Sequence, residues 1–413
     1  MTHSRGRPGF VEPGEQEPPR HGRMPSPTAS AGALALLGRG IAIVLAAGLV
    51  LGCIAAVRIW SQLQTVDAGD DARTDAAGAF TVLLVGTDDR TGQGGEFGEG
   101  QDEAAGRRND VNMLLHVAED HRSATVVSIP RDLLFDAPSC RSDEGEQLPE
   151  QEGAPFNSIQ QEGGMSCIIA AAEQLSGLPV DYAAMVQFRG VIEMSNAVGG
   201  VTVCVENPIE DEHVGLSLPA GFHSLQGEEA LKFLRTRHGV GDGSDLSRIS
   251  NQQIFLSALV RKMREEGTLS NPGALYGLAT AAVRNMTLTS NLANPEVLAG
   301  LARATADVPL ESFVFVQLPV RDAEDGAHVV LDEPGAASLF DALRHGRAVQ
   351  LQDGASGPSG PAPPAGQEGA DGQDEQEQLT ADPPEPGTPE EDTASPRPGL
   401  TGQDSSQERC SNG

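Results

Sequence analysis

Seventeen consecutive residues without a charge, Ile41–Val57, divide this chain into parts that meet different solvents. Extended upstream through Ala33–Leu37 and downstream to Trp60, the run gives enough helix to cross a hydrocarbon core of roughly 30 Å. Five arginines precede it (Arg5, Arg7, Arg20, Arg23 and Arg39), against the single flanking Arg58 beyond it. The positive-inside bias predicts a single-pass transmembrane helix over residues 34–60, a disordered cytoplasmic N-terminus over residues 1–33, and an extracellular remainder. A cleaved signal would have a shorter apolar region and less chain before it. Val50-Leu51-Gly52-Cys53 has the form of a lipid-attachment box, but apolar residues follow Cys53 where a lipidated cysteine opens a polar tether. The anchor is therefore preferred.

At the other end, residues 351–413 hold ten Pro, ten Gly, 13 acidic residues and only two Arg. Such a stretch cannot bury enough apolar surface to offset its ordering entropy, so residues 348–413 are expected to form a disordered acidic tail. Residues 61–78 read as a linker. One core is left, over residues 79–347. The net charge of −31 excludes nucleic acid as the main partner, since phosphate backbones are bound by neutralising them. Only Lys232 and Lys262 among the 28 basic residues are lysines. The rest are arginines, whose fork suits phosphate and carboxylate.

Within that core, short Val/Leu/Ile-rich runs at 80–86, 111–117, 125–129, 180–188, 201–205 and 313–318 read as strands. Helical spacing appears at Ser166–Leu175 with Gly177 as its stop, at Gly227–Leu234, Leu246–Glu266, Ala274–Arg284, Pro295–Thr305 and Pro334–Leu343. The alternation predicts an α/β fold, a mixed central sheet flanked by helices. An external domain permits disulfides. Among Cys140, Cys167 and Cys204 three pairings are open; a Cys140–Cys167 bridge closing the loop between them is preferred, with Cys204 a buried thiol.

Arginine and aspartate gather in four places: Asp88-Asp89-Arg90 after a strand, Arg107-Arg108-Asn109-Asp110 before the next, Arg131-Asp132 after Pro130, and Arg235-Thr236-Arg237-His238 through Asp245 and Arg248 to Gln252. If residues 234–238 are extended, Arg235 and Arg237 point the same way. On a helix from Asp245, Arg248 and Gln252 share a face. Ligands of open α/β sheets collect beyond strand ends. Several arginines with the carboxylates of Asp88 and Asp110 suit a diphosphate with a divalent cation, Mg²⁺ or Mn²⁺. Taken singly, each cluster reads better as a surface Arg–Asp ion pair or a cap; it is their number in one domain that favours the site.

The order of the pieces VLLVGTDDR, RRNDVNMLLHV, ATVVSIPRDLL, FNSIQQEGG, LPVDYAAMVQF, VGGVTV and LPAGFHSLQGEEALKFLRTRHGVGDGSDLSRISNQQ resembles the LytR-CpsA-Psr family of cell-wall glycopolymer ligases, over roughly residues 79–345. The resemblance implies a single-pass cell-membrane protein with an external catalytic domain. It also implies transfer of a glycopolymer from a polyprenyl-pyrophosphate carrier to peptidoglycan through a phosphodiester bond. By that similarity Asp88 and Asp110 match Mg²⁺-associated aspartates, and Arg108, Arg131, Arg235, Arg237 and Arg248 match pyrophosphate-contacting arginines, with Arg90 beside them. Gln252 matches the family's glutamine, and Asp245 an acidic position near the phosphates; Asp110 or Asp245 would accept the proton of the attacking sugar hydroxyl. Gln187, Asn251, the segment Phe156-Asn157-Ser158 and the long loop 91–106 depart from the family's pattern. Two rival readings are a pyrophosphatase acting on the same lipid and a non-catalytic wall-associated binding or regulatory protein.

Overall fold

Phe80, Val82 and Leu84 project from one face of their strand and Leu83 and Val85 from the other, and the two sets enter different cores. A strand apolar on both faces belongs in the middle of a covered sheet. The computed structural model describes residues 61, 63–67, 72–88, 107–265, 271–349, 351 and 400–412, with scattered helical positions between residues 39 and 50. Most of the predicted membrane run, together with Arg90 and the loop 91–106, therefore lies outside the described residues. Among the described residues no helix is long and apolar enough to cross a membrane.

An eight-stranded mixed sheet forms the centre. Along the chain its strands are β1 (Gln64–Val66), β2 (Phe80–Thr87), β3 (Asn109–Val117), β4 (Ala124–Ile129), β5 (Tyr182–Gln187), β6 (Met286–Thr289), β7 (Phe313–Gln317) and β8 (Gly402–Asp404). In space they run β1-β6-β5-β2-β3-β4-β7-β8. The pairs β1/β6, β5/β2 and β4/β7 are parallel and the others antiparallel. The helices are α1 (Ile159–Ser176), α2 (Phe188–Ala197), α3 (Glu228–Arg235), α4 (Asp245–Glu265), α5 (Pro272–Asn285), α6 (Pro295–Asp307) and α7 (Glu333–Arg344). On one face, Leu83, Leu114 and Val127 pack against Ile168 and Ala172 of α1 and Leu339 and Phe340 of α7. On the other, Phe80, Met113, Val126 and Phe315 meet Val297 and Leu301 of α6, with Leu256 and Val260 of α4 alongside. A third cluster joins the strand Val201–Val205 to Phe233 of α3 and to Phe255 and Ala258 of α4.

The expected strands and helices stand where the periodicity put them, within a few residues. Helix α1 begins seven residues earlier than expected and is interrupted at Gly164; the expected Ser166–Leu175 is its regular part. That part is capped from a distance, because the Asp143 carboxylate accepts hydrogen bonds from the N–H groups of Met165 (2.9 Å) and Ser166 (2.9 Å). Helix α2 was not anticipated. It follows β5 without a break, and Gln187 gives it no side-chain cap that would have marked its start.

Cys140 and Cys167 form the expected disulfide, 27 residues apart. Replacing both by serine will lower stability by about 3.5 kcal/mol, the loop-closure value for that span. Equal melting of wild type and variant in oxidising buffer would show that the bridge contributes nothing.

Three sequence readings are corrected. Cys204 is not a thiol: it is bonded to Cys410. The acidic tail is not disordered throughout, since residues 400–412 return to the domain. There β8 pairs antiparallel with β7, and Cys410–Ser411 lies parallel to Cys204–Val205; residues 352–399 lie outside the described residues. The linker is docked at the opposite edge, where Gln64–Val66 pairs with Thr287–Thr289 and the Arg73 carbonyl accepts from Asn291 Nδ2 at 2.8 Å. In both end segments a few ordered residues adjoin Pro/Gly-rich or acidic chain, and average composition conceals them. Gly402 shows the fit at close range, because a Cβ there would stand 2.1 Å from the Phe315 carbonyl oxygen.

Candidate active site

The side chain of Asn109 is fully buried at the start of β3, where its Nδ2 donates to Asn112 Oδ1 (2.8 Å) and to the Phe156 carbonyl (3.0 Å). That clamp fixes the strand end that presents Asp110. On the next strand, Pro130 ends β4 and the N–H of Asn157 donates to the Arg131 carbonyl (3.0 Å). The segment Phe156–Ser158 thus supports both neighbouring strand ends. Arg131 Nη1 donates to Asp110 Oδ1 at 2.7 Å, and its Nε lies 3.5 Å from Asp132 and 3.5 Å from Asp245. Burial pulls the Arg131 guanidinium down, but the three carboxylates, Asp110 foremost, outweigh it and hold the group above the usual arginine range.

Helix α4 opens on Asp245, and Arg248 one turn later lies 2.5 Å from its Oδ1. Arg248 Nη2 also donates to the Asp110 carbonyl at 3.0 Å, tying the helix start to β3. Burial dominates this pair: it raises the Asp245 carboxyl and lowers the Arg248 guanidinium, each partly offset by its partner. Further along, Gln252 Nε2 donates to the Leu234 carbonyl at 3.1 Å and so fixes the C-terminus of α3. Residues 234–238 are not an extended run. Arg235 is the last residue of α3, its guanidinium 4.5 Å over the Phe188 ring, and Thr236 turns the chain out of the helix.

The turn is organised by Asp211, which sequence reasoning missed. Its buried carboxylate accepts from Thr236 Oγ1 (2.8 Å) and from the N–H groups of Arg237 (3.1 Å), His238 (3.1 Å) and His213 (3.0 Å). Burial works to raise this carboxyl, and the Thr236 and backbone donors overcome it, bringing it to about 2. In sequence Asp211 is one acid among several in a hairpin, and three of its four partners lie 25 residues and more away, so spacing carries no signal of them. Gly239 lets the turn lie against that hairpin, since a Cβ there would meet the Glu210 carbonyl oxygen at 2.7 Å. Because the folded carboxyl titrates below its ordinary value, its stabilisation is complete above about pH 4 and is lost as pH falls through about 2. Asp211→Asn will therefore cost about 2 kcal/mol at pH 7. The difference from wild type should shrink on acidification; a difference unchanged at pH 2.5 would contradict this account.

These elements enclose one cavity of about 520 Å³. Val111, Met113, Val186, Met194, Val201, Leu231, Phe255, Leu259 and Leu278 make its interior apolar, and Asp110, Arg131, Arg235, Arg237, Arg248 and Gln252 also line it. The structure thus brings together six of the expected site residues. Asp245 stands behind them as partner to Arg131 and Arg248. Asp88 and Arg108 lie beside the site, the Arg108 N–H donating to Asp88 Oδ1 at 2.9 Å, while the Arg108 side chain is exposed. The Nε atoms of Arg131, Arg237 and Arg248 are buried without a hydrogen-bond partner among the described residues. Buried donors require an acceptor, and an anion in the cavity mouth would supply it.

Among the described residues no group of three or more His, Cys, Asp or Glu gathers to hold a metal alone. Two carboxylates suffice for a cation that completes its shell from substrate phosphates and water. Asp88 follows Thr87, which pairs with Asn109, the residue before Asp110. The donor set fits a cation that arrives with a phosphate ligand. The departure at Asn251 also has a structural counterpart: its Oδ1 accepts from Ser411 Oγ (2.5 Å), so this position receives the end of the chain.

A profile of the LytR_cpsA_psr family matches residues 58–345. "Cell wall biosynthesis protein LcpA" of Corynebacterium glutamicum is 33% identical over 228 residues, 50% of this chain and 44% of LcpA. "Probable cell wall biosynthesis protein LcpB" of the same organism is 31% identical over 316 residues, 74% of this chain and 70% of LcpB. "Polyisoprenyl-teichoic acid--peptidoglycan teichoic acid transferase TagT" of Bacillus subtilis is 30% identical over 209 residues, 49% of this chain and 56% of TagT. The chain thus spans less than half of LcpA and just over half of TagT. Its fold is shared with protein gbs0355 from Streptococcus agalactiae, at a TM-score of 0.52 and 20% identity over 67% of this chain and 91% of that one. With the profile spanning more than half of the sequence and the arginine-lined mouth built from its motifs, the chain belongs to the LytR_cpsA_psr family.

Proposed function

We propose that this protein transfers a glycopolymer from a polyprenyl-pyrophosphate carrier to peptidoglycan through a phosphodiester bond, at the outer face of the cell membrane. The observation that carries the reading is the cavity itself, apolar inside and lined by Arg131, Arg235, Arg237 and Arg248. A prenyl chain and a pyrophosphate need those two environments in that adjacency. The names of the relatives, cell wall biosynthesis proteins and a polyisoprenyl-linked teichoic acid transferase, support the same class of reaction. Two disulfides fit an oxidising compartment, and the apolar run at 41–57 is the proposed anchor.

In this reading the arginines hold the pyrophosphate oxygens and neutralise the charge that grows on the departing prenyl phosphate. The buried Nε atoms of Arg131, Arg237 and Arg248, which have no hydrogen-bond partner among the described residues, are already in place, so little reorganisation accompanies the reaction. Asp245 keeps Arg131 and Arg248 oriented, and Gln252 holds the end of α3 from which Arg235 and Arg237 follow. Asp88 and Asp110 would hold Mg²⁺ or Mn²⁺ against the pyrophosphate, and such an ion supplies additional positive charge there. A pyrophosphatase would use the same residues with water in place of the sugar hydroxyl.

The test uses the full chain in detergent or nanodiscs, a short-chain polyprenyl-pyrophosphate-linked sugar, Mg²⁺ and peptidoglycan fragments, with products read by mass spectrometry. A phosphodiester-linked sugar on the fragment is expected. Free sugar phosphate with the fragment unmodified would replace the transferase by the hydrolase.

A further inference from the structure

A hydroxyl acceptor must lose its proton as it attacks phosphorus, and the carboxylates around the cavity are poorly disposed to take it. Asp110 is ion-paired with Arg131 at 2.7 Å. Both carboxylate oxygens of Asp245 are buried, and the residue does not line the cavity. Asp211 is committed to one hydroxyl and three N–H donors. The same lining also contains two imidazoles, His213 and His238, their ring centroids 4.2 Å apart. His213 is 72% exposed, and its Nδ1 lies 3.4 Å from Asp211 Oδ1. A carboxylate at one ring nitrogen, with the ring open to solvent, is the arrangement of a base and its orienting partner.

We propose that His213 is the proton acceptor for the attacking hydroxyl, with Asp211 as its orienting residue and the His238 ring in tilted contact beside it. The inference rests on the transferase reading above. The acceptor O–H gives its proton to Nε2 of His213, and its oxygen forms the new bond to the sugar-linked phosphorus. The bond from that phosphorus to the bridging oxygen breaks, and polyprenyl phosphate leaves with the electron pair. The imidazolium then returns its proton to solvent. The charged and titratable groups that share the lining with the ring include Asp211 of its own hairpin, Arg235 of α3, and Arg237 and His238 of the turn that follows. Exposure suits the role, because a peptidoglycan strand is too large to enter an enclosed site.

The test compares wild type, His213→Ala and His213→Gln, each full-length, in the transfer assay above with and without free imidazole. His213→Ala is expected to lower transfer about 10²-fold while binding of the polyprenyl-pyrophosphate sugar is unchanged, and free imidazole restores a measurable part of the rate. His213→Gln falls similarly but is not restored, since its side chain occupies the space; equal melting temperatures for all three exclude a folding defect. Wild-type transfer by His213→Ala, or a loss that imidazole leaves untouched, overturns the assignment. A wild-type protein that binds the lipid but transfers nothing sinks the transferase reading instead, and the two failures are thus distinguishable.

Discussion

Arg237→Ala will lower transfer about 10²–10³-fold, the effect of removing one preorganised donor from developing charge, and will leave the melting temperature nearly unchanged. Arg237 lines the cavity, and its buried Nε has no hydrogen-bond partner among the described residues. What positions it is its backbone N–H on Asp211, which an alanine retains. Its side chain therefore contributes little to the fold and much to a bound anion. Arg248→Ala is the contrasting case. Arg248 is 5% exposed and lies 2.5 Å from the buried Asp245, so its removal leaves that carboxylate with only Arg131, at 3.5 Å, and should cost about 3 kcal/mol of stability as well as activity. Arg237→Lys will not restore the rate, because a point charge cannot reproduce the two-pronged contact of a guanidinium with phosphate. Full transfer by Arg237→Ala would mean that the pyrophosphate sits elsewhere. Comparable melting losses in both alanine variants would mean that the division between ligand-binding and structural arginines is wrong.

That division marks what the sequence can convey. Five of the eight sheet strands and most helices were legible because burial on one or both faces imposes a period, as in Phe80–Thr87 and Phe313–Gln317; the short strands Gln64–Val66, Met286–Thr289 and Gly402–Asp404 are too brief to show one. Asp110, Arg131, Arg235, Arg237, Arg248 and Gln252 were legible because they sit in a few ordered motifs, and the sheet then carries their strand ends and helix ends to one cavity. The roles within the set were not. Whether Arg248 braces Asp245 or meets a ligand depends on a contact between α4 and β3 made across 138 residues. Asp211 was invisible for the same reason, since its value lies in three donors from a distant turn. Helix α2 was missed because no side-chain cap marks its start and it follows β5 directly, so that Phe188 reads as the end of the strand, although its Val191 and Met194 form part of the cavity wall. The two end segments were misread because composition was averaged over stretches in which short runs, Gln64–Val66 and Gly402–Asp404, pair with the sheet edges.

The C-terminal segment is where that averaging conceals the most, and removing residues 400–413 will have the largest effect on stability. Three attachments hold the segment. The Cys204–Cys410 disulfide spans 206 residues, a loop long enough that its closure is worth about 5 kcal/mol in the chain-entropy account. β8 extends the central sheet at β7, and Arg261 Nη1 donates to the carbonyls of Ser405 (3.2 Å) and Gln407 (2.9 Å). The last turn reaches the site itself: Ser411 meets Asn251, one residue before Gln252, and the N–H of Gly241 donates to the Asn412 carbonyl at 3.1 Å. Gly241 lies in the turn that begins with Arg237 and His238, so the segment braces the turn that Asp211 holds from the other side. Truncation should lower the melting temperature by about 10 °C or more, and a Cys204→Ser/Cys410→Ser protein should lose a large part of that while keeping the hydrogen bonds. Assayed at a temperature where every protein is folded, the truncated chain should still transfer more slowly than the double serine variant, because only the truncation releases Gly241 and Asn251. Equal rates for the two would confine the segment to a stabilising role. An unchanged melting temperature on truncation would mean that residues 400–412 do not hold the fold in solution.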